Sequence, residues 1–133
     1  MFKADAKWTQ QLQFEGHGNS GHAILMDGDG KTASTPMELV LAALCGCTAY
    51  DVVNILQKKR EPLTGLEVTA QAEKAVDPPR VYTAIELIYR VSGTVSRKAV
   101  EDAVRLSEEK YCSVAAMLNK TAKITYRIEL EAR

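Results

Sequence analysis

Five stretches of the chain are predicted to be β-strands, and in the last three of them apolar and polar residues alternate, so that one face is buried. They are residues 7–14, 22–27, 65–73, 80–92 and 121–132. A short additional strand is expected near residues 31–33. The preceding turn, DGDGK, contains two Asp-Gly pairs, which favour hairpins. The pattern therefore predicts three short strands near the N-terminus and three longer ones later.

Residues 35–58 predict a long first helix. Thr35 is a favourable N-cap, and Pro36 suits the first helical position. Glu38 follows Thr35 by three residues, which is the spacing of a capping box. The basic residues 58–60 complement the negative end of the helix dipole, and Pro62 prevents the helix from continuing.

A second helix is predicted after Ser96, and its C-terminal half has two interpretations. Its apolar stripe is Val100, Ala103, Val104, Ser107, Tyr111, Val114, Ala115 and Leu118. Either residues 97–119 form one helix with Cys112 on its polar side, or the helix breaks at Tyr111-Cys112 and Ser113 caps a short final helix. The second interpretation places Cys112 at a helix N-terminus, where the dipole favours thiolate. In both, Cys112 is expected to be more accessible than a core thiol.

The predicted order of elements is β-β-β-α-β-β-α-β. Strands that come in blocks, rather than in strict alternation with helices, are typical of an α+β fold with mostly antiparallel sheets. The chain has 133 residues, no internal repeat and no linker-like segment. A single domain over residues 1–133 is therefore expected.

The charge balance argues against two classes of partner. Lysine plus arginine equals aspartate plus glutamate, 17 against 17, so no electrostatic attraction to nucleic acid or to an anionic membrane is expected. The N-terminus, MFKADAKWTQ, lacks the apolar core of a signal peptide. The Leu39–Leu44 run is too short for a membrane span, and Asp51 and Asn54 follow it too soon. We therefore expect a cytosolic protein.

The first helix is apolar on nearly all sides. The residues responsible are Leu39, Val40, Leu41, Leu44, Val52, Val53, Ile55 and Leu56. One sheet covers only one side of such a helix, so we expect the other side to meet a second copy of the chain in a homodimer. The alternative is that the second helix completes the coverage within one subunit.

Three cysteines cannot all pair within one chain, and a reducing compartment disfavours structural disulfides. In a helix Cys45 and Cys47 point about 200° apart, so they cannot form a disulfide or share a metal. Cys45 lies on an apolar row, whereas Cys47 lies on a row with Asp51, which makes Cys47 the better functional candidate. Space-filling roles for these two thiols, and a bystander role for Cys112, remain alternatives.

Two segments, PMELVLAALCGC and KYCSVAAML, together with the order of elements, resemble the family of osmotically inducible protein C and organic hydroperoxide resistance proteins (OsmC/Ohr). The resemblance covers nearly the whole chain. The longer segment PMELVLAALCGCTAYDVV is similar to the YhfA-type branch of OsmC-like proteins. The resemblance implies an intertwined homodimer in which antiparallel-rich sheets pack on long central helices at the interface.

The resemblance also implies a chemistry. Cys47 matches the peroxidatic cysteine of the family and Cys112 the resolving cysteine, while Cys45 stands where a small residue is usual. The implied reaction is reduction of an organic hydroperoxide, with formation of a Cys47–Cys112 disulfide that an external dithiol reduces. It implies no metal and no organic cofactor.

The chain departs from the family pattern at two places. The peroxidases use an arginine from the N-terminal strands to stabilise the thiolate, but no arginine precedes Arg60. His17, His22 and Lys31 are the available substitutes, and His17 is retained as a candidate catalytic residue. The family glutamate follows the helix-opening proline directly, where this chain has Met37. Glu38, one residue later, is a candidate catalytic group in addition to its capping role.

These departures leave two alternatives to a peroxidase. One is a non-enzymatic protein that binds a small apolar ligand or responds to redox conditions with the same dimer pocket. The other is a structural relic with inert cysteines. The spacing of the histidines and cysteines matches no zinc motif, and DGDGK lacks suitable calcium ligands further along, so no metal site is expected.

Overall fold

The computed structural model describes residues 1–131 and divides them into two compact units. The first unit is Met1–Leu41, and the second begins at Ala42. The elements are β1 Asp5–Gln10, β2 Gln13–His17, β3 Ala23–Asp27, α1 Pro36–Lys58, β4 Leu63–Lys74, β5 Tyr82–Gly93, α2 Arg97–Leu106, a π-helical turn Ser107–Tyr111, α3 Ser113–Leu118 and β6 Lys123–Glu131. Helix α1 starts in the first unit and continues through the second.

The first unit is a three-stranded antiparallel sheet in the order β1-β2-β3. The predicted strand 7–14 is in fact a hairpin. It bends at Gln11, whose φ of 50° lies in the left-handed region and lets the chain reverse tightly. The strand 22–27 is confirmed as β3. The number of strands before the first helix agrees with the prediction only because the predicted strand 7–14 is two strands.

The predicted strand at 31–33 is wrong, because a turn around Asp27 occupies this segment. The buried Asp27 carboxylate accepts hydrogen bonds from Asp29 N at 2.9 Å, Thr32 N at 3.0 Å and Thr32 Oγ1 at 2.9 Å. These bonds hold the pKa of Asp27 below its usual value. Residues 28–32 are therefore bent around a carboxylate instead of pairing as a strand.

The start of helix α1 is the predicted capping box. Glu38 N donates to Thr35 Oγ1 at 3.1 Å, and Thr35 N donates to Glu38 Oε1 at 2.7 Å. Two backbone N–H groups that the helix cannot satisfy internally are thus paired by side chains. The helix begins at Pro36 and ends at Lys58, as the sequence predicted.

The second unit contains a mixed sheet in the order β4-β5-β6, with β4 antiparallel and β6 parallel to the central β5. Arg90 of β5 lies between Glu67 of β4 at 3.0 Å and Glu129 of β6 at 3.1 Å, which ties the three strands across one face. In the predicted strand 80–92, the alternating residues Ile85, Leu87, Tyr89 and Val91 are buried as expected. The core of this sheet is Ile85, Leu87, Ile88, Tyr89 and Val91. Of the predicted strand 121–132, residue Ala132 lies outside the described residues.

Helix α1 contributes a narrow buried stripe to the second unit, made of Leu44, Thr48, Val52 and Leu56 at intervals of four. Tyr50, on another side of the same helix, is 69% exposed. The apolar surface of α1 is thus only partly covered within one chain.

The predicted second helix is three consecutive elements. Ser96 caps α2 by accepting a hydrogen bond from Ala99 N at 3.3 Å. The π-helical turn closes with Cys112 N donating to Ser107 O at 2.8 Å, and α3 follows at once. The interpretation with a break at Tyr111-Cys112 is confirmed, although Cys112, rather than Ser113, is the N-cap of α3.

The two sheets of three strands with intervening helices confirm the α+β class and the predominance of antiparallel pairing. The 23 residues of α1 are, by length and composition alone, sufficient to cross a bilayer. The Leu39–Leu44 run by itself therefore understates the apolar length of this helix. Apolar core helices of soluble proteins satisfy the same criterion.

Candidate functional site

The fold brings Cys47 and Cys112 together. Cys47 lies in the middle of α1, next to the buried position Thr48, and Cys112 lies at the junction between the π-helical turn and α3. The two thiols are within hydrogen-bonding distance of each other. All three cysteines of the chain are unpaired thiols. The fold therefore brings into contact the two cysteines that the sequence singled out.

Cys112 is buried, with only 2% of its surface exposed, so the expectation of an accessible thiol is wrong. Its sulfur accepts a hydrogen bond from Ala115 N at 3.4 Å as the N-cap of α3. Burial, followed by the hydrogen bond with Cys47, raises the pKa of Cys112 to about 12, and the bond from Ala115 only partly opposes these effects. Desolvation thus outweighs the helix N-terminus, and Cys112 is held as a neutral thiol.

Cys47 is half-buried, and so is Cys45. Burial raises the pKa of Cys45, which keeps that thiol in its less reactive form. Since Cys47 contacts Cys112, the neighbouring Cys45 projects from another side of α1. The distinction between the two helix cysteines that the spacing predicted is consistent with this arrangement.

A buried network of hydroxyl groups lies beside the thiol pair. Thr48 Oγ1 lies 2.6 Å from Tyr89 Oη and 2.7 Å from Ser107 Oγ. Tyr89 Oη donates to Glu108 Oε1 at 2.7 Å, and Ser107 Oγ donates to Asp51 Oδ2 at 2.9 Å. We call these five side chains, Asp51, Ser107, Thr48, Tyr89 and Glu108, the hydroxyl chain. It joins α1, β5 and the π-helical turn.

Acidic groups are the main charges acting on the site. The charge of Glu108 raises the pKa of Cys112, and the charge of Cys112 in turn contributes to the raised pKa of Tyr89, for which burial is the largest cause. Burial, followed in part by the charge of Asp51, raises the pKa of Glu108. The charge of Glu108 thus opposes ionisation of Cys112.

The two remaining candidates, Glu38 and His17, belong to the first unit. Glu38 makes the capping bonds of α1. His17 lies between two carboxylates of its own sheet, with Nδ1 3.0 Å from Asp5 and Nε2 3.3 Å from Glu15. Both residues therefore have local structural partners, and their catalytic roles stay predictions.

An open groove of about 490 Å³ lies at the Asp51 end of the hydroxyl chain. It is lined by Tyr50, Asp51, Asn54, Ile55, Lys58, Lys59, Leu106 and Tyr111. The groove combines apolar and aromatic walls with two lysines. Within residues 1–131, no cluster of three or more histidine, cysteine, aspartate or glutamate side chains is suited to hold a metal.

The sequence contained a signal for the hydroxyl chain that periodicity alone did not interpret. Thr48 and Asp51 are polar positions within a helix that is apolar nearly all round, and Ser107 interrupts the apolar stripe of the second helical region. Each is tolerated because the others satisfy its hydrogen bonds. Polar residues at predicted core positions therefore marked the site.

Comparisons with known proteins agree with this architecture. The profile of the family described as OsmC-like protein matches residues 28–127. The chain is 48% identical to Protein YhfA of Escherichia coli K12, over 98% of both chains. A crystal structure of a hypothetical protein from Aquifex aeolicus VF5 superposes with a TM-score of 0.91 at 29% identity, covering 100% of this chain and 98% of the other. An organic hydroperoxide resistance protein from Elizabethkingia anophelis shares the fold, with a TM-score of 0.73 at 14% identity and 98% and 96% of the two chains covered.

Proposed function

This protein belongs to the OsmC-like family, and we propose that it is a thiol peroxidase that reduces organic hydroperoxides with the Cys47–Cys112 pair. The observation that carries the proposal is the contact between these two thiols, which the fold brings together from separate elements. A structural relative named for organic hydroperoxide resistance supports the choice of substrate class.

Cys47 is the residue that attacks the peroxide. Its thiolate attacks the outer oxygen of the hydroperoxide, so that an S–O bond forms, the O–O bond breaks and the alkoxide takes up a proton to leave as alcohol. The product at Cys47 is a sulfenic acid. The half-buried Cys47 suits this step better than Cys112, which is buried and protonated.

Cys112 completes the oxidation. Its sulfur displaces the hydroxyl group of the Cys47 sulfenic acid, which leaves as water together with the Cys112 proton, and an S–S bond forms. No large movement is needed, because the two thiols already contact each other. An external dithiol then reduces the disulfide by two exchange steps and is itself oxidised to a disulfide.

The test is peroxide consumption in the presence of a dithiol reductant. Wild-type protein is expected to consume tert-butyl hydroperoxide, whereas Cys47→Ser loses the activity. Cys112→Ser is expected to stop at the sulfenic acid, which a dimedone adduct on Cys47 detects by mass spectrometry.

Cys45→Ser is the matched control, since Cys45 lies on the same helix but outside the thiol pair. It is expected to retain turnover and to form the Cys47–Cys112 disulfide after one equivalent of peroxide. Equal rates for wild type and Cys47→Ser would contradict the proposal.

We also propose that the protein works as a cytosolic homodimer. The support is the apolar surface of α1 that one chain leaves uncovered, with Tyr50 69% exposed. Next to it, a cavity of about 380 Å³ is lined by Gly46, Ala49, Tyr50, Val53, Asn54, Gln57 and Leu66. A second copy would cover this surface.

A second candidate function is binding of a small apolar ligand without turnover. It is favoured by the acidic charges beside the thiols and by the burial of Cys112, both of which oppose thiolate formation. Native mass spectrometry of freshly purified protein distinguishes the two, because a retained ligand without peroxide consumption supports the binding function.

A further inference from the structure

The hydroxyl chain has carboxylates at both ends and three hydroxyl groups between them. Its oxygens are linked in the order Asp51, Ser107, Thr48, Tyr89, Glu108, at distances of 2.9, 2.7, 2.6 and 2.7 Å. Thr48, Tyr89 and Ser107 are fully buried, so water does not reach these side chains to satisfy them. Every oxygen-to-oxygen link therefore needs a proton from a member of the hydroxyl chain.

The hydroxyl chain requires one more proton than its three hydroxyl groups supply. Three hydroxyl groups supply three protons, but there are four oxygen-to-oxygen links. If both carboxylates are ionised, one buried link has two oxygens facing each other without a proton, which is repulsive. A fourth proton on one of the carboxyl groups fills all four links.

The fourth proton has two possible positions. When Glu108 carries it, every hydroxyl donates toward Asp51, and when Asp51 carries it, every hydroxyl donates toward Glu108. A shift of each proton by one link converts one arrangement into the other. The chain therefore has the connectivity of a proton relay between its two carboxyl groups.

The two ends lie in different surroundings. The charge of Glu108 acts on Cys112, one member of the thiol pair. Asp51 lines the groove together with Lys58 and Lys59. Burial and the charge of Asp51 raise the pKa of Glu108, which agrees with a proton residing at that end.

Other titratable groups surround the hydroxyl chain and enter its pH dependence. From α1 they are Cys47 and Lys58, and Lys59 follows directly; from β6, Tyr126, whose ring meets that of Tyr89 edge-on at 6.1 Å; and from the π-helical turn and its end, Glu109, Lys110, Tyr111 and Cys112. Lys110 lies over the ring of Tyr111 at 5.3 Å.

We propose that the hydroxyl chain is a single-proton relay that neutralises Glu108 when a thiolate forms beside it. Negative charge then resides at Asp51, next to the lysines of the groove, instead of beside the sulfur. The thiolate is thus favoured by removal of a nearby negative charge, where the family pattern would place an arginine.

The role in peroxide reduction rests on the proposed function, but the relay itself is testable without peroxide. Thr48→Val removes the central hydroxyl at nearly constant shape and cuts the relay, whereas Thr48→Ser keeps the hydroxyl and loses only a methyl group. In Thr48→Val, Tyr89 donates to Glu108 and Ser107 donates to Asp51, so both carboxylates are satisfied when ionised. The fourth proton is no longer required.

The first measurement is an NMR titration of ¹³C-labelled glutamate carboxyl groups, with Glu108 assigned by the loss of its signal in Glu108→Gln. The pKa of Glu108 is expected to fall in Thr48→Val by about one unit, which corresponds to one hydrogen bond. Thr48→Ser is expected to restore the wild-type titration. If circular dichroism shows that Thr48→Val does not fold, Ser107→Ala is the substitute. It removes the next hydroxyl group of the hydroxyl chain and is also expected to lower the pKa of Glu108.

The second measurement is the pH profile of Cys47 alkylation by iodoacetamide in the Cys45→Ser background. With Glu108 held anionic in Thr48→Val, alkylation near neutral pH is expected to slow by about tenfold, and Thr48→Ser to recover the rate. Identical Glu108 titrations in wild type and Thr48→Val would overturn the relay. If Thr48→Val and Thr48→Ser slow the alkylation of Cys47 equally, the electrostatic role of the relay is overturned, and Thr48 acts through packing alone.

The two proposals fail in different ways. If the wild type consumes no peroxide but Thr48→Val alters the Glu108 titration and Cys47 alkylation, the relay stands and the peroxidase does not. If peroxide is consumed and neither quantity changes, the peroxidase stands and the relay does not.

Discussion

At the scale of single residues, Glu108 couples the stability of the protein to pH. Burial raises its pKa, the hydrogen bond from Tyr89 lowers it, and the charge of Asp51 raises it again, with a net rise. In the unfolded chain its pKa returns to the ordinary value for glutamate, about 4.3. Between these two pKa values the folded state holds a proton that the unfolded state has lost. The contribution of Glu108 to stability is therefore present at low pH and is lost as the pH rises through this window.

Glu108→Gln is expected to remove this loss. Glutamine resembles the neutral carboxyl group and does not ionise, so the variant gains stability relative to the wild type as the pH rises above about 4.3. Urea unfolding at successive pH values between about 4 and about 8 measures the difference. Glu109→Gln, at the adjacent exposed position, is the control and is expected to show no such trend. If the difference in unfolding free energy between Glu108→Gln and wild type does not change with pH across this range, the raised pKa of Glu108 is contradicted.

The sequence identified the two cysteines that meet, but not the state of Cys112. Helical spacing separated Cys45 from Cys47, because angular positions on a helix follow from residue number alone. The burial of Cys112 depends on how the π-helical turn packs, which is information from residues distant in the chain. A dipole argument at the N-terminus of α3 therefore predicted the wrong direction for its ionisation.

At the scale of elements, the start of α1 is stabilised by a local motif. Thr35→Ala removes the acceptor of the bond from Glu38 N and leaves that N–H without its cap. The free energy of unfolding is expected to fall by about 1 kcal/mol. Chemical denaturation measures the change. Ser34→Ala is the matched control, since Ser34 is exposed and contributes only its backbone carbonyl, to Asp27 N. A loss of equal size in both variants would show that the capping bond is not the cause.

Local and non-local elements differed in how well the sequence predicted them. The capping box needs only residues 35–38, so the sequence located the start of α1 correctly. The hairpin at Gln11 was missed because a left-handed glutamine carries no composition signal, unlike Asn-Gly or Asp-Gly. The π-helical turn was missed as a distinct element because Ser107 and Glu108 make their bonds to α1 and β5. Such turns are often found at functional sites.

At the scale of the whole molecule, the proposed chemistry needs the same helix that one chain leaves partly uncovered. Helix α1 carries Cys47 and Thr48 at its centre, and Tyr50, on another side of the helix, is 69% exposed. Large exposed apolar surfaces on a soluble protein are typical of interaction sites. A homodimer over this surface would therefore also determine how a substrate reaches the thiol pair.

Tyr50→Glu tests the assembly, because a carboxylate buried in an apolar interface loses its hydration, and in a two-fold dimer both subunits bear that cost. Sedimentation velocity at equal protein concentrations is expected to show a dimer for the wild type and a shift toward monomer for Tyr50→Glu. Val76→Glu, an apolar-to-acidic change at another position that is 85% exposed, is the control and is expected to stay dimeric. A monomeric wild type would contradict the homodimer. In that case the exposed surface of α1 needs another partner, while the contact between Cys47 and Cys112 within one chain is unaffected.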